Sequence, residues 1–406
     1  MNATFWLTHV LLERGYRIEN DVVSGTKTEC AHLLLKDGRI AKILPASEAI
    51  TDGLPQFDAR RHLALPSLIE KHCHLDKTLL GDRWRAVTPA KTIFDRLEAE
   101  KEVLPSLKTS TQTRAEKLLD LYSKTGVTHV RTHVDIYPEA GLGNLDEVQK
   151  ALRTFEGKLS SEIVAFPQHG LLRTQAKGLV REALRQGASL VGGVDPATVD
   201  GDIEASLHEM VDIAVEGHAG IDLHLHDADH LGLFTMRRLA QLTIEAGLQG
   251  KVAISHAFGL GDATPAQAEA MAEQLAEAGI AIITSVPINR KFPPVGLLRR
   301  KGVSVAVGCD NIFDVWSPFG NADLLERAGR LAEASGWSDE RSLAQTLGFI
   351  TGGRTPLHPE GERMWPQVGD EANLVLVEAS CSAEAVARRP KRVATMFRGN
   401  IVEGVL

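Results

Sequence analysis

The chain has 406 residues, of which 43% are hydrophobic and 24% are charged, a composition typical of a globular protein with one large domain and a smaller one. The formal net charge of −8 argues against nucleic acid as the main partner, because neutralising phosphates requires a basic surface. No apolar run approaches the roughly 20 residues that span a bilayer, and residues 1–20 lack the pattern of a secretory signal, so we expect a cytoplasmic protein that does not bind membranes.

Both ends of the chain are rich in predicted β-strands. The segments that carry this pattern are LLLKDGRIAKILP (33–45), GDEANLVLVEAS (369–380) and RVATMFRGNIVEG (392–404). In the first of them, the dipeptide Asp37-Gly38 is typical of a tight hairpin turn. We predict that residues 1–62 and 360–406 together form one discontinuous domain, a small β-sandwich that pairs the two ends of the chain.

Between these ends, short apolar runs that finish in polar residues alternate with amphipathic helical segments. The runs are LALPSLIEKHCH (63–74), GVTHVRTHVD (126–135), SEIVAFPQ (161–168), SLVGGVDP (189–196), GIDLHLHD (220–227), KVAISHAF (251–258), IAIITSVP (280–287) and VSVAVGCDN (303–311). Strands that alternate with helices in this number predict an α/β fold, a (β/α)8 barrel of the TIM type, over residues 63–359. A doubly wound sheet is disfavoured, because no Gly-x-Gly-x-x-Gly opens the first helix.

Polar side chains with catalytic or ligand chemistry follow almost every predicted strand. In chain order these candidates are His72, His74, His133, Asp135, Gln168, Asp195, His224, Asp227, His256 and Asp310. Functional side chains of TIM-type barrels lie at the carboxyl ends of the strands, which meet at one face. Histidines at the ends of four strands are difficult to explain by chance, and they predict a metal site there. Alternation along a strand places His72 and His74 on one face and Cys73 on the other.

Imidazole and carboxylate ligands suit one borderline divalent ion, zinc or iron(II). The predicted ligands are His72, His74, His224 and Asp310. Such an ion lowers the pKa of a bound water towards 7. His256 has the right chemistry to orient or deprotonate that water, and Asp227 to pass a proton to the leaving group. We therefore count Asp227, His256 and Asp310 as catalytic candidates.

These motifs resemble those of the amidohydrolase superfamily and, within it, of the cytosine deaminase-like branch. The resemblance covers nearly the whole chain, and the segments that carry it are HCHLDK (72–77), VAFPQHG (164–170), IDLHLHD (221–227), ISHAF (254–258) and GCDNIFDVWSPFGNADLL (308–325). It implies a contact between Gln168 and a small heterocyclic substrate. It also implies a homo-oligomer.

Other segments are more similar to the N-isopropylammelide isopropylamidohydrolases, which act on triazines. They are RTHVD (131–135), LVGGVDPAT (190–198), HLHD (224–227) and the lysine after the first-strand histidine pair. This second resemblance implies that Lys77, Asp195 and Asp227 belong to the site, the first two beside the substrate. Trp316 is a further substrate-binding candidate, with an aromatic core residue as the alternative.

The sequence departs from the cytosine deaminase pattern at two places. Asp227 stands where those enzymes have a glutamate, so the proton shuttle is either this shorter carboxylate or His226. The fourth strand, Val-Gly-Gly-Val-Asp, has no lysine to bridge two metal ions, and we expect one ion.

Two further expectations concern the surroundings of the site. We expect His133 and Asp135 to form a hydrogen-bonded pair that orients the ligands rather than binding the ion. Residues 78–115 are expected to be an unusually long connection before the next helix, which shapes substrate choice and brings Arg83 or Trp84 within reach of the substrate.

The sequence therefore predicts a metal-dependent deaminase of a cytosine-like or aminotriazine-like ring, in which hydroxide attacks the ring carbon that bears the amino group. The same ligands would also serve hydrolysis of a cyclic amide or imide, or of an N-alkylamino ring. A non-catalytic metal-binding barrel is the rival from another class. It is disfavoured because all four ligand types and His256 are present.

Overall fold

A computed structural model describes residues 4–406. The strands are β1 (Phe5–Glu19), β2 (Val22–Lys36), β3 (Arg39–Pro45), β4 (Gln56–Asp58), β5 (Leu63–Pro66), β6 (Leu68–Cys73), β7 (Val127–Asp135), β8 (Ser160–Phe166), β9 (Leu190–Val194), β10 (Gly220–His224), β11 (Val252–Ser255), β12 (Ala281–Thr284), β13 (Val305–Val307), β14 (Leu374–Val377), β15 (Arg392–Phe397) and β16 (Asn400–Gly404). The helices are α1 (Ile93–Val103), α2 (Thr111–Lys124), α3 (Gly143–Thr154), α4 (Lys177–Arg185), α5 (Ile203–Glu216), α6 (Asp229–Glu245), α7 (Phe258–Asp262), α8 (Pro265–Glu277), α9 (Val295–Arg300), α10 (Leu324–Ser335), α11 (Glu340–Thr346) and α12 (Ser382–Arg388). None of the helices within residues 4–406 is long and apolar enough to cross a bilayer.

The predicted barrel is confirmed. Strands β6 to β13 form an eight-stranded sheet in sequence order, and every pairing within it is parallel. The apolar side chains of these strands and of the surrounding helices make one large buried cluster. Since all strands run the same way, their carboxyl ends and the polar residues that follow them lie at one face.

The first and last strands close the barrel through a carboxylate and a close backbone approach. Glu70 accepts hydrogen bonds from the backbone N–H groups of His72 at 2.8 Å and Cys309 at 2.9 Å. The backbone N–H of Asp310 donates to the carbonyl of His72 at 2.8 Å. A Cβ at Gly308 would lie 2.7 Å from Glu70 Oε1 and 2.7 Å from the Cβ of His72, so only glycine fits at this seam. The closure fixes the first-strand histidines beside Asp310.

The two ends of the chain meet in a separate mixed sheet, as the sequence predicted. Its main strand order is β16-β15-β14-β5-β1-β2-β3, with β4 beside β1. The pairs are antiparallel except that β4 and β5 lie parallel to β1. The predicted hairpin turn at Asp37-Gly38 joins β2 to β3, with both residues at positive φ. This sheet has its own buried apolar cluster.

The first predicted strand, residues 63–74, serves both sheets. Leu63–Pro66 pairs with β14 and β1, whereas Leu68–Cys73 begins the barrel. Ser67 stands between them, and its hydroxyl lies 2.6 Å from the hydroxyl of Thr128 on β7. Apolar residues occur in both halves of the run because both halves are largely buried, so composition does not mark the change of sheet.

The expectation of a long connection without a helix before α2 is wrong. Helix α1 lies inside residues 78–115, and a capping box between Thr92 and Asp95 begins it. The side chain of Trp84 is 72% exposed and stacks on Phe313, and its contact with a substrate stays a prediction. Arg83 is not among the residues that line the cavities at this face of the barrel. Helix α1 instead supplies Ile93 to the small central cavity.

Candidate metal centre and active site

Three of the predicted ligands meet at the closure of the barrel. The Nε2 atoms of His72 and His74 lie 3.4 Å and 3.3 Å from Oδ1 of Asp310. One ligand atom from each of the three lies within 4.8 Å of the others, a spacing that one ion can bridge. The backbone of Asp310 is left-handed, with φ of 61°, which is uncommon outside glycine and typical of functional sites.

The fourth predicted ligand, His224, belongs to a second group that shares His72. His72, His133 and His224 also place one ring nitrogen each within 4.8 Å of one another. His224 stacks on Phe166, with ring centroids 4.1 Å apart. Within residues 4–406, neither ring nitrogen of His224 and neither of His133 has a hydrogen-bond partner, although all are buried. Leaving a buried polar atom without a partner is costly, so these nitrogens fit a bound cation.

The expected pairing of His133 with Asp135 is wrong. The ring of His133 lies among the ligand histidines, 4.3 Å from His72 and 4.4 Å from His224 between centroids. Asp135 Oδ1 instead lies 3.1 Å from the Nζ of Lys77. His133 and Asp135 are two residues apart on β7 and therefore lie on the same face of the strand, but they contact different neighbours.

A buried hydrogen-bonded chain orients His72. Its Nδ1 lies 2.8 Å from the hydroxyl of Ser255, which donates to Oδ1 of Asp222 at 2.7 Å. Arg131 holds the other oxygen of Asp222 at 2.9 Å. The chain occupies Nδ1 and leaves Nε2 of His72 facing Asp310, the arrangement that orients histidine ligands in metal proteins. The sequence reasoning missed Ser255 and Asp222, which lie inside apolar strands.

Burial keeps the clustered imidazoles neutral. Desolvation, aided by Lys77, lowers the pKa of His74 to about 3. Desolvation and the neighbouring histidines lower the pKa of His224 and His256 well below the usual value. Burial opposes ionisation of Asp310, but His72 and His74 bring its pKa well below the usual range. The cluster thus offers neutral nitrogens and one carboxylate, which are the protonation states that bind a divalent ion.

His226 and Asp195 form a hydrogen-bonded pair beside the predicted ligands. The Nδ1 of His226 lies 2.8 Å from Oδ2 of Asp195, and the ring stacks on His256 with centroids 4.4 Å apart. Burial opposes protonation of His226, but Asp195 raises its pKa above the usual value. His256, the other predicted catalytic histidine, lies 4.0 Å through Nδ1 from Oδ2 of Asp310.

Asp227 does not line the central cavity, and its role as a proton shuttle stays a prediction. Its Oδ1 accepts a hydrogen bond of 2.5 Å from Thr198, and it lines an outer groove rather than the central cavity. Burial raises the pKa of Asp227 above the usual value. His226 is common to the cavity and the groove, so it stands between Asp227 and the ligands.

The central cavity is small and opens towards two grooves. It measures about 30 Å³, and its lining includes His74, His224, His226, His256, Gln168, Asp310 and Trp316. A volume of this size holds an ion and a water, and a ring at this face would also extend into the space beside it. Grooves of about 560 Å³ and 720 Å³ adjoin it, and Trp316 lines all three. Asp314 accepts from the backbone N–H of Trp316 at 2.8 Å and so fixes this loop.

Two predicted substrate residues, Lys77 and Gln168, are joined in a buried network. Lys77 is 1% exposed, and its ammonium donates to Oε1 of Gln168. Nε2 of Gln168 in turn donates to Glu100 of helix α1. Of these three side chains, only Gln168 lines the central cavity. Sequence reasoning missed Glu100, because the helix that carries it was not predicted.

Comparisons with known proteins agree with this architecture. The sequence model of a protein family described as "Amidohydrolase family" matches residues 161–403. The uncharacterized protein YahJ of Escherichia coli (strain K12) is 41% identical over 404 residues, 98% of this chain and 88% of its own length.

Two solved structures extend the comparison. N-isopropylammelide isopropylaminohydrolase from Burkholderia multivorans ATCC 17616 superposes with a TM-score of 0.86 and 31% identity, and all of both chains is covered. The 5-methylcytosine deaminase of Klebsiella pneumoniae, liganded with phosphonocytosine, superposes with a TM-score of 0.81 and 24% identity over 98% of each chain. At that identity the second likeness concerns the fold. The first agrees with the superfamily resemblance drawn from the motifs.

Proposed function

The chain belongs to the amidohydrolase family, and from its site we propose that it is a metal-dependent hydrolase that removes ammonia or an amine from a small nitrogen heterocycle. One observation carries the proposal. The buried ring nitrogens of His224, which have no hydrogen-bond partner, group with His72, and His72 also groups with His74 and Asp310. His74, His224 and Asp310 line the same cavity as Gln168 and Trp316. Ligands for an ion and groups for a ring thus share one space.

The proposed ligands are His72, His74, His224 and Asp310, and the proposed ion is zinc or iron(II). Imidazole with carboxylate is the donor set these ions take in hydrolases. When bound, the ion supplies a water of lowered pKa and polarises the carbon under attack. Asp222 and Ser255 hold His72 in the tautomer that leaves Nε2 free for the ion.

The remaining roles concern protons. His256 lies within 4.0 Å of Asp310 and takes the proton of the attacking water in this proposal. His226 lines the cavity, and Asp195 holds its Nδ1, so its Nε2 is free to return a proton to the leaving nitrogen. Asp227 then serves the outer groove, where Thr198 holds it.

Release of an alkylamine is the second candidate, and the room beside the cavity favours it. A groove of about 560 Å³ next to the leaving-group side accommodates a substituent larger than hydrogen on the departing nitrogen. A relative that is 31% identical is named as an isopropylaminohydrolase, which supports the same direction.

The test is release of ammonia and of alkylamine from a panel of aminopyrimidines, aminotriazines and their N-alkyl derivatives. Zinc-loaded and iron-loaded protein are compared with Asp310→Ala and, as a control, with Asp120→Ala on the exposed face of α2. We expect turnover of at least one ring, lost in Asp310→Ala together with metal content and kept in Asp120→Ala. Protein shown to hold metal that releases neither product from any ring would refute the proposal.

A further inference from the structure

The amide of Gln168 is held from both sides by buried charged groups. The ammonium of Lys77 donates to Oε1, and Nε2 donates to the carboxylate of Glu100. Lys77 and Glu100 are 1% and 2% exposed, and Gln168 is 5% exposed. The only one of the three that lines the central cavity is Gln168.

The chemistry of the neighbours permits one orientation of this amide. A lysine ammonium has donors but no acceptor, so it can face only the carbonyl oxygen of Gln168. Turning the amide over would place its NH₂ against that ammonium and its oxygen against the Glu100 carboxylate. The ammonium is itself fixed, with Asp135 at 3.1 Å and Glu100 at 3.5 Å. Burial opposes its charge, but Asp135, Glu100 and Asp76 raise the pKa of Lys77 above the usual value.

The fixed amide keeps one unused N–H and one unused lone pair on its oxygen. Building on the proposed function, we propose that Lys77 and Glu100 are positioning residues that lock Gln168 so that the site selects rings with an N–H beside a C=O. Such a ring edge returns one donor and one acceptor to the amide. A ring without the N–H leaves a buried acceptor unpaired, which costs about tenfold or more in affinity.

The first measurement uses two rings that carry no amino group, so binding is separated from turnover. The zinc-loaded wild-type protein is titrated with 2-pyridone and with N-methyl-2-pyridone by ligand-observed NMR. The two differ in the N–H next to the carbonyl. We expect 2-pyridone to bind at least about tenfold more tightly. Equal affinities, or no binding of either ring to the metal-loaded protein, would overturn the inference.

The second measurement removes both holding groups without changing the net charge. In the double variant Lys77→Met, Glu100→Gln, we expect the preference for 2-pyridone to fall to within about twofold while bound zinc per chain is unchanged. The matched control is Lys101→Met, Glu98→Gln, a partly exposed pair on helix α1 with N and O 3.9 Å apart. It should keep the preference.

A preference that survives in a folded double variant would overturn the role of the two groups. If that variant does not fold, Lys77→Gln alone replaces the ammonium with a group that can face either end of the amide, and an unchanged preference there would have the same meaning. The steric effect of the N-methyl group is common to all variants and cancels in the comparison.

These outcomes separate the inference from the proposed function. A wild-type preference that the double variant loses, without release of ammonia or amine from any ring, would support the lock and refute the hydrolase. Turnover of an aminated ring by protein that binds both pyridones equally would support the hydrolase and refute the lock.

Discussion

The hydroxyl of Ser255 links the ring of His72 to the carboxylate of Asp222. The substitution Ser255→Ala therefore tests whether this link positions His72 for the proposed metal site. The substitution removes the 2.8 Å contact to Nδ1 of His72 and the 2.7 Å bond to Asp222. His72 then loses the group that fixes its ring and its tautomer. Loss of such a supporting group typically lowers metal affinity about 10- to 100-fold.

The control is Ser67→Ala, at the residue that directly precedes β6, the strand that carries His72. Ser67 is also buried, and its hydroxyl lies 2.6 Å from that of Thr128, far from the ligands. Both substitutions leave a buried polar group unpaired, so each should lower the free energy of unfolding of the metal-free protein by about 1–3 kcal/mol. Only Ser255→Ala should lower metal affinity.

Competition with a chromophoric chelator gives the zinc affinity of each variant, and denaturant unfolding of the metal-free proteins gives their stability. Equal zinc affinities for Ser255→Ala and Ser67→Ala, at similar stability, would refute the reasoning that the Asp222–Ser255 chain positions His72.

Three more predictions concern the closure of the barrel at Gly308, the sheet formed by the two chain ends, and the path of the proton. Gly308→Ala should lower the free energy of unfolding by about 1–3 kcal/mol in denaturant, because its Cβ would meet atoms 2.7 Å away, whereas Gly143→Ala on an open helix start should not. Burial raises the pKa of Glu13 to about 7 from 4.5, so the folded state holds the extra proton and stability should fall as pH rises from about 4.5 to 7. Relative to Glu13→Gln, the wild-type protein should lose about 2–3 kcal/mol of unfolding free energy between pH 5 and pH 8, and taking the difference removes the contributions of other groups that titrate in this range. Asp195→Asn should lower kcat more than Asp227→Asn at unchanged metal content, since Asp195 holds a cavity histidine and Asp227 lines the outer groove; the reverse order in steady-state kinetics would assign the proton to Asp227.

The barrel was predictable because its strands are apolar runs with polar ends. Parallel strands buried on both faces need continuous apolar sequence, and the reactive side chains must stand where the strand ends. The pattern therefore predicted His72, His74, His224 and Asp310 as neighbours, and the structure gathers them into two groups that share His72. Their role as ligands stays a prediction.

Partnerships across strands were not predictable. Asp222 and Ser255 look like ordinary interior residues of two strands, and only the register of β10 against β11 brings them to each other. Glu70, an acid inside an apolar run, was a readable signal of a special contact, since a buried carboxylate needs hydrogen bonds. Which donors it would find depended on closure of the barrel.

Helix α1 was missed for a different reason. The apolar residues of its sequence, IFDRLEAEKEV, are not gathered on one face of the helix, so periodicity gives little signal. The capping box formed by Thr92 and Asp95 was the local signal that could have located its start. The buried residues of the helix are Leu97 and Glu100, and Glu100 accepts a hydrogen bond from Gln168.

The predicted metal ligands and the groups that hold Gln168 come from different elements of the fold, so metal binding and substrate preference should respond to different substitutions. The predicted ligands lie on barrel strands or within three residues of their ends, and the closed sheet fixes the positions of those strands. Glu100 comes from a helix in the connection after the first strand, and it acts on Gln168 at the end of β8. Changes in that connection can therefore alter which ring edge Gln168 accepts without disturbing His72 or Asp310. On this argument, substitutions in α1 should alter substrate preference at constant metal content, whereas substitutions along the Asp222–Ser255 chain should alter metal affinity first.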